Sequence, residues 1–164
     1  MKKIGLISDT HAFLEPKIFE RFAECDEIWH AGDLGCLSVA DNLAAFKPLR
    51  AVHGNIDGYD VRLAYPKFQQ FECEGVKVLM THIGGFPGRY DREAYRHIMA
   101  YKPQLFVCGH SHILRVMYDK SLDCLCVNPG AIGHYGAQAV RTMLRFEIDG
   151  HDIRNMEIIE LSKQ

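Results

Sequence analysis

An α/β fold with two β-sheets, helices covering the outer faces, is what the sequence predicts. Three observations carry the expectation. Short apolar runs alternate with helical patterns in the first half, strands separated by turn signals dominate the second, and no linker or low-complexity stretch divides the chain. At 164 residues the length corresponds to about one domain. A single domain over residues 1–164 is therefore expected, large enough to bury about 70% of the surface its unfolded chain exposes.

Taken in order, residues 3–8 form a continuous, partly β-branched run that ends in polar residues, the pattern of a buried strand. Residues 16–25 follow as an amphipathic helix, with Pro16 in its first turn and Ile18, Phe22 and Cys25 at helical spacing. A strand at 27–31, a helix at 37–46 and a strand at 49–53 complete a series of parallel crossovers. Residues 68–73 and 76–81 flank Glu74-Gly75 and read as a hairpin. A helix at 90–101 starts near Asp91 and is closed by Pro103, and a strand follows at 104–108. Strands near 113–118, 123–127, 139–148 and 151–161 are separated by turns such as Asp149-Gly150. One mixed sheet carrying helices and a more antiparallel sheet built from the later strands are expected, layered so that helices lie outside both.

Hydrophobic residues at 48% and charged residues at 24% match a soluble globular protein and exclude disordered, collagenous and coiled-coil readings. No apolar run approaches the roughly 20 residues that span a bilayer, so no membrane partner is expected. The net charge of −2 provides no basic footprint for nonspecific nucleic-acid binding. The six cysteines include no CxxC pair, and their neighbours are mostly apolar. Buried reduced thiols follow, and with them a reducing, cytoplasmic setting. Behind Met1-Lys2-Lys3 the apolar stretch is only Ile4 to Ile7, shorter than a signal-peptide core.

The polar residues fall where strands end. Asp9-Thr10-His11, Gly32-Asp33, Gly54-Asn55-Ile56-Asp57, Thr81-His82 and Gly109-His110-Ser111-His112 each follow an expected strand, at similar intervals along the chain. Ligands of α/β sheets collect at the carboxyl ends of strands, so five such exits can share one crevice. Asp9 with His11, and His110 with His112, are i, i+2 pairs, which in extended backbone point the same way and can reach one centre. Singly, these pieces are ordinary turns and polar surface. Jointly, Asp9, His11, Asp33, Asn55, His82, His110 and His112 offer the mixed oxygen and imidazole donors that suit Mn, Fe, Zn and similar divalent ions. Seven donors exceed one tetrahedral ion and suit two, with Asp33 best placed in sequence to bridge them. His30 reads as a buried, hydrogen-bonded support for Asp33, His53 is ambiguous, and His97 and His151 read as surface residues. His134, in the loop Gly133-His134-Tyr135-Gly136, reads as a loop residue more than as a substrate contact.

Together these motifs resemble the calcineurin-like metallophosphoesterase superfamily, whose pattern is D-x-H, G-D, G-N-x-(D/E), a histidine after a strand, and G-H-x-H. Gly54-Asn55-Ile56-Asp57 and the short chain look most like the small phosphodiesterase branch, which also includes the retromer scaffold subunit. Asn128-Pro129-Gly130-Ala131 is similar to a further motif of that branch. The resemblance implies a four-layer αββα sandwich of two mixed sheets flanked by helices, with two divalent metal ions, Mn²⁺ foremost and Fe, Zn, Ni or Mg as alternatives. It implies one metal held by Asp9, His11, Asp33 and His112, the other by Asp33, Asn55, His82 and His110. Two departures from the pattern stand out. The position after the G-N pair, where many members carry a proton-donating histidine, is Ile56, and where others read T-H-G-H this chain has Thr81-His82-Ile83-Gly84.

The implied chemistry is hydrolysis of a small phosphodiester or nucleotide-like substrate. A hydroxide shared by two cations about 3.5 Å apart attacks in line while the cations neutralise charge. Asn55, itself in the ligand set, and Asp57 and Arg89 beyond it are the candidates for catalytic work. Asp57 would orient a neighbouring ligand or a water, and Arg89 or Tyr90, in the glycine-rich segment 83–90, would contact substrate. A protein-interaction scaffold of the same fold is the alternative, a nuclease is a third reading, and the sequence leaves room for a homo-oligomer.

Overall fold

A computed structural model describes residues 1–163; the last residue of the expected domain, Gln164, lies outside the described residues. The first sheet takes β1 (Lys2–Ile7), β2 (Glu27–His30) and β3 (Leu49–Ala51) as parallel neighbours, with α1 (Lys17–Arg21) and α2 (Leu37–Phe46) in the crossovers. After α3 (Tyr59–Ala64), β4 (Phe68–Cys73) and β5 (Val76–Thr81) form the expected hairpin in a second sheet. Two short strands, β6 (Gly85–Phe86) and β7 (Arg89–Tyr90), pair with each other ahead of α4 (Arg92–Tyr101). The second sheet is completed by β8 (Leu105–Val107), β9 (Leu114–Asp119) and β10 (Cys124–Pro129), in the order β4-β5-β8-β10-β9. Finally β11 (Val140–Asp149) and β12 (Asp152–Ser162) return to the first sheet, giving β12-β11-β1-β2-β3.

Alternation along the strands builds the layers. Ile4 and Leu6 of β1, Val78 and Met80 of β5, Leu105 and Val107 of β8, and Leu144 and Phe146 of β11 belong to one buried cluster between the sheets, centred on Trp29. Ile7 faces the other way, onto Ile18 and Phe22 of the α1 region and Val39 and Leu43 of α2. Gly5 also lies against this helix layer, where a Cβ would stand 2.5 Å from the Phe22 ring. Leu79 and Phe106 face Ala94 and Ile98 of α4. Each fully buried side chain of this size contributes about 1.5–3 kcal/mol, so both sheets are held on both faces. The expected four-layer arrangement of two mixed sheets with helices outside is the one observed.

Two expectations need correction. The sheet expected to gather the later strands does not take 140–162, because β1 is buried and needs a partner on each edge. β2 fills one edge and β11 the other, with Ile4 opposite Phe146 and Leu6 opposite Leu144. Both sheets are thus equally mixed. The helix expected over 16–25 is regular only at Lys17–Arg21; Cys25 N then donates to Phe22 O at 3.0 Å in a tighter turn, which still buries Phe22 and Cys25. Lastly, α3 and the β6–β7 hairpin had no expectation at all. Every cysteine is a free thiol, and all but Cys36 are buried.

Candidate metal centre

The ends of β1, β2, β3, β5 and β8 lie along one edge of the two sheets, and the loops leaving them are tied to one another. Asp9 N donates to Gly32 O at 2.9 Å, His11 N to Asp33 O at 3.0 Å, and Gly109 N to His82 O at 2.9 Å. These are turns, not extended strand ends. Asp9, His11, Asp33, His110 and His112 all have φ between +48° and +73°. A non-glycine residue held there costs about 1–2 kcal/mol, and such strain concentrates at functional sites. Glycines let the turns approach: a Cβ on Gly54 would collide with the Asp33 carboxylate, and one on Gly109 with the Ser8 hydroxyl.

The expectation that the i, i+2 pairs converge through extended backbone is therefore corrected for both pairs: Asp9 and His11 meet through left-handed turn geometry, and the rings of His110 and His112, held in the same geometry, part. His112 lies beside His11, ring centroids 5.4 Å apart, with Nε2 3.2 Å from Asp9 Oδ1. His110 lies beside His82, 5.3 Å apart, with Nδ1 3.1 Å from Asn55 Oδ1 at the exposed rim. The two carboxylates stand between these groups. Asp9 Oδ1 is 3.7 Å from both His11 Nε2 and His82 Nε2, and Asp33 Oδ2 is 3.4 Å and 3.2 Å from the same two atoms. Asp9 and Asp33 both span the two groups, where the sequence pointed to Asp33 alone.

The carboxylates and imidazoles of the cluster shift one another's titration. Burial would raise the Asp9 carboxyl; the His11, His112 and His82 imidazoles that face it and the Ser8 hydroxyl more than reverse this and hold it well below the usual carboxylate range. For Asp33, burial is likewise outweighed, chiefly by His82, so it too is lowered. Burial acts to lower His82, but Asp33 and Asp9 win and raise it; the Asp9 carboxylate, 3.2 Å away, raises His112. Even so, the buried atoms Asp9 Oδ1, His11 Nε2 and His82 Nε2 have no hydrogen-bond partner among the described residues. Buried polar atoms are normally satisfied. Two trios, Asp9-His11-His112 and Asp9-Asp33-His82, place donor atoms within 4.8 Å of one another. Orphaned donors of this kind fit divalent cations.

Several residues position this cluster. His82 Nδ1 donates to Ala31 O at 2.8 Å and His112 Nδ1 to Gln138 Oε1 at 3.0 Å, which turns each Nε2 inward. His30 is fully buried: Nδ1 accepts from Gly32 N at 3.1 Å, and Nε2 bonds Thr10 Oγ1 at 3.0 Å, so it braces the turns that carry Asp9 and Asp33. Asp57 ties neighbouring turns together. Its buried carboxylate accepts from Leu34 N, Gly35 N and Gly54 N. Asn128 Nδ2 donates to Gly109 O at 2.9 Å, which supports the His110 turn. Ile56 is exposed, and its N–H donates to Asp33 Oδ1 at 3.1 Å.

Of the remaining expected residues, Tyr90 donates its hydroxyl to Asp119 Oδ2 at 2.6 Å, whereas the Arg89 side chain is exposed. His53 Nδ1 bonds Tyr65 O, His97 stacks on Phe68, and His134 packs against Phe13 away from the cluster. His151 is exposed. The sequence reading missed Tyr135, whose ring stacks on His11 at 4.7 Å, and Gln138. Their only signal was the glycine-rich loop 133–136 that carries Tyr135 and ends just before Gln138.

Residues 1–151 match the family model of the calcineurin-like phosphoesterase superfamily domain. The chain is 32% identical to a probable metallophosphoesterase of Methanocaldococcus jannaschii over 134 residues, covering 78% of this chain and 67% of that protein. It is 29% identical to a probable metallophosphoesterase of Methanothermobacter thermautotrophicus, over 78% of this chain and 76% of that one. Among solved structures, Vps29 of Entamoeba histolytica complexed with zinc superposes with a TM-score of 0.74 at 17% identity, covering 99% of both chains. A cluster of oxygen and imidazole donors at the strand ends of this sandwich, with the sequence match over most of the chain, places the protein in the calcineurin-like phosphoesterase superfamily.

Proposed function

We propose that residues 1–164 act as one dinuclear, metal-dependent phosphodiesterase unit that hydrolyses small phosphodiesters. The carrying observation is the convergence of Asp9 Oδ1, His11 Nε2 and His82 Nε2, buried and without partners, between two carboxylates. Asp9, His11, Asp33 and His112 would hold one cation, and Asp33, Asn55, His82 and His110 the other. Two divalent cations there would supply Lewis acidity to phosphoryl oxygens and lower the pKa of water by several units. Mn²⁺ suits this donor set, as do Fe, Zn, Ni and Mg.

The chain's own residues set the boundaries of the reaction. A groove of about 270 Å³ beside the cluster is lined by Phe86, Arg89, His110, Ser111 and Arg115, with Arg115 held over the Phe86 ring at 3.9 Å. Its guanidinium groups suit phosphate oxygens, and Arg89 is the proposed substrate contact. Ile56 provides no proton for a leaving group, which favours esters whose leaving groups depart as anions. Three of the buried cysteines are poor nucleophiles. Burial pushes the Cys25 and Cys73 thiols up to about 11 and Cys108 up to about 12. The unpaired cysteines also support a reducing, cytoplasmic setting, and no helix among the described residues is long and apolar enough to cross a membrane.

A scaffold reading is favoured by one feature. The edge strand β9 and the residue before it expose Ile113, Val116, Met117 and Tyr118, the kind of unpaired edge that recruits another chain. Metal analysis with a bis(p-nitrophenyl) phosphate assay separates the two readings. The phosphodiesterase reading expects turnover that is lost in chelator and in Asp33→Asn and restored by Mn²⁺ in the wild type. Failure to cleave the diester with every divalent metal tried would leave the scaffold.

A further inference from the structure

Five of the ten arginines of this chain have their guanidinium engaged by carboxylates or carbonyls: Arg50 with Glu27, Arg141 with Glu15, Arg145 with Glu157, Arg154 with Asp149 and Arg62 with backbone carbonyls. Arg89, Arg92 and Arg96 have no hydrogen bond or ion pair among the described residues, and all three line one cavity of about 480 Å³ between β7, α4 and the end of β9. Arg92 and Arg96 are one helical turn apart on α4, where like charges repel. Nearby acids do not relieve them. Asp91 caps α4 by accepting from Ala94 N, and Glu93 pairs with Lys67. Asp119, in the cavity wall, already accepts from Tyr90 Oη, Ser121 Oγ and the Ser121 and Leu122 N–H groups.

Three guanidinium groups against one carboxylate leave an excess of two positive charges. A terminal phosphate monoester carries about −1.5 to −2 at neutral pH and offers three strong acceptor oxygens, matched by the planar donor forks of arginine. A carboxylate would leave half of this charge unmet. Arg89 and Tyr90 also line the groove that reaches His110, so the two spaces meet at β7. The exposed ring of Tyr95 in the cavity wall adds an apolar surface for the group that carries the phosphate.

We propose that the Arg89, Arg92 and Arg96 cavity is a subsite for a second, terminal phosphate of the substrate, reached from the scissile diester along the groove between His110 and Arg89. This rests on the phosphodiesterase reading above, and it defines the substrate class as phosphodiesters that carry a further phosphomonoester.

The test compares thymidine 5′-(p-nitrophenyl phosphate) with the same compound bearing a 3′-phosphate. The Mn²⁺-loaded wild type is expected to prefer the 3′-phosphorylated ester by about tenfold in kcat/KM, from two charge-assisted contacts. Arg92→Ala/Arg96→Ala should reduce this preference to about twofold or less, while Arg21→Ala, an exposed arginine outside the cavity, preserves it. Both cavity arginines are exposed, and an unchanged melting temperature verifies folding of the double variant. In parallel, calorimetry on metal-free protein should show saturable binding of inorganic tripolyphosphate, weakened about tenfold by the double variant. No preference in the wild type, or a preference that the double variant retains, overturns the subsite even if tripolyphosphate binds. Equal tripolyphosphate affinity in wild type and double variant overturns it regardless of turnover. Loss of turnover on both esters with every metal instead overturns the phosphodiesterase reading, an outcome distinct from turnover without preference.

Discussion

Gln138 Oε1 accepts a hydrogen bond from His112 Nδ1 at 3.0 Å, across 26 residues of sequence, and thereby aims His112 Nε2 at Asp9 Oδ1. The amide fixes both the tautomer and the orientation of the ring. Gln138→Leu keeps the side chain's bulk and removes the acceptor. Affinity for Mn²⁺, measured by competition with a fluorescent chelator, should fall about 10–100-fold, with little change in melting temperature of the metal-free protein. Unaltered affinity would show that the ring is held by packing against Tyr135 and His11 alone.

Asp57 joins the turn after β2 to the turn after β3 through three backbone N–H groups. Asp57→Ala leaves these buried donors unpaired, and the loss should reach about 2–4 kcal/mol. Asp57→Asn retains one acceptor oxygen and should lose about half as much. Urea unfolding of the metal-free protein checks both. A stable Asp57→Ala protein that has lost only activity would show that Asp57 acts in the reaction and not through the turns.

His30 confers an acid sensitivity with a defined sign. Burial, only partly offset by the Asp9 and Asp57 charges, pushes its imidazole from 6.5 down to about 4. Below pH 6.5 the unfolded chain takes up a proton that the native ring refuses, so stability is present above 6.5 and is lost as pH falls toward 4. The span amounts to about 3 kcal/mol. His82 and His112, both raised, act in the opposite sense: their contribution is present below 6.5 and lost as pH rises through their higher folded values. His30→Asn isolates the first effect, since Asn offers an acceptor to Gly32 N and does not titrate. The stability gap between wild type and His30→Asn should narrow by about 2–3 kcal/mol between pH 7.5 and 4.5. A gap that stays constant refutes the assignment of a neutral buried ring.

Ile56 occupies the exposed rim with only its backbone N–H committed, to Asp33 Oδ1. With no donor side chain there, rates on aryl methyl phosphates should rise steeply as the phenol becomes more acidic. Ile56→His should flatten that dependence and favour the poorest leaving groups, by about 10²-fold if the new imidazole acts as a general acid. A flat wild-type series would mean that another group supplies the proton.

Much of the site was legible because its residues cluster in short segments at strand ends. Asp9, Asp33, His82 and His110 each follow an apolar run and stand close to a glycine or another polar donor, a pattern visible without any long-range knowledge. The β4–β5 hairpin was legible for a similar reason, because Glu74-Gly75 fixes its turn. Long-range features were not. Nothing local in residues 140–162 says that β11 will lie beside β1, and the carbonyl of Ala31 that aims His82 has no side-chain signature. The left-handed turns at His110 and His112 were hidden too, because a histidine adopts that geometry only where the surrounding loops impose it.

The placement of β11 against β1 has a consequence for truncated products. Ser8 O and Asp9 O accept from Ile132 N and Gly133 N, and β1 gains its second neighbour only from residues beyond 139. Asp9 is thus framed both by Gly32, nearby in sequence, and by residues more than 120 positions away, so a product truncated before residue 132 is expected to present this carboxylate without half of its frame.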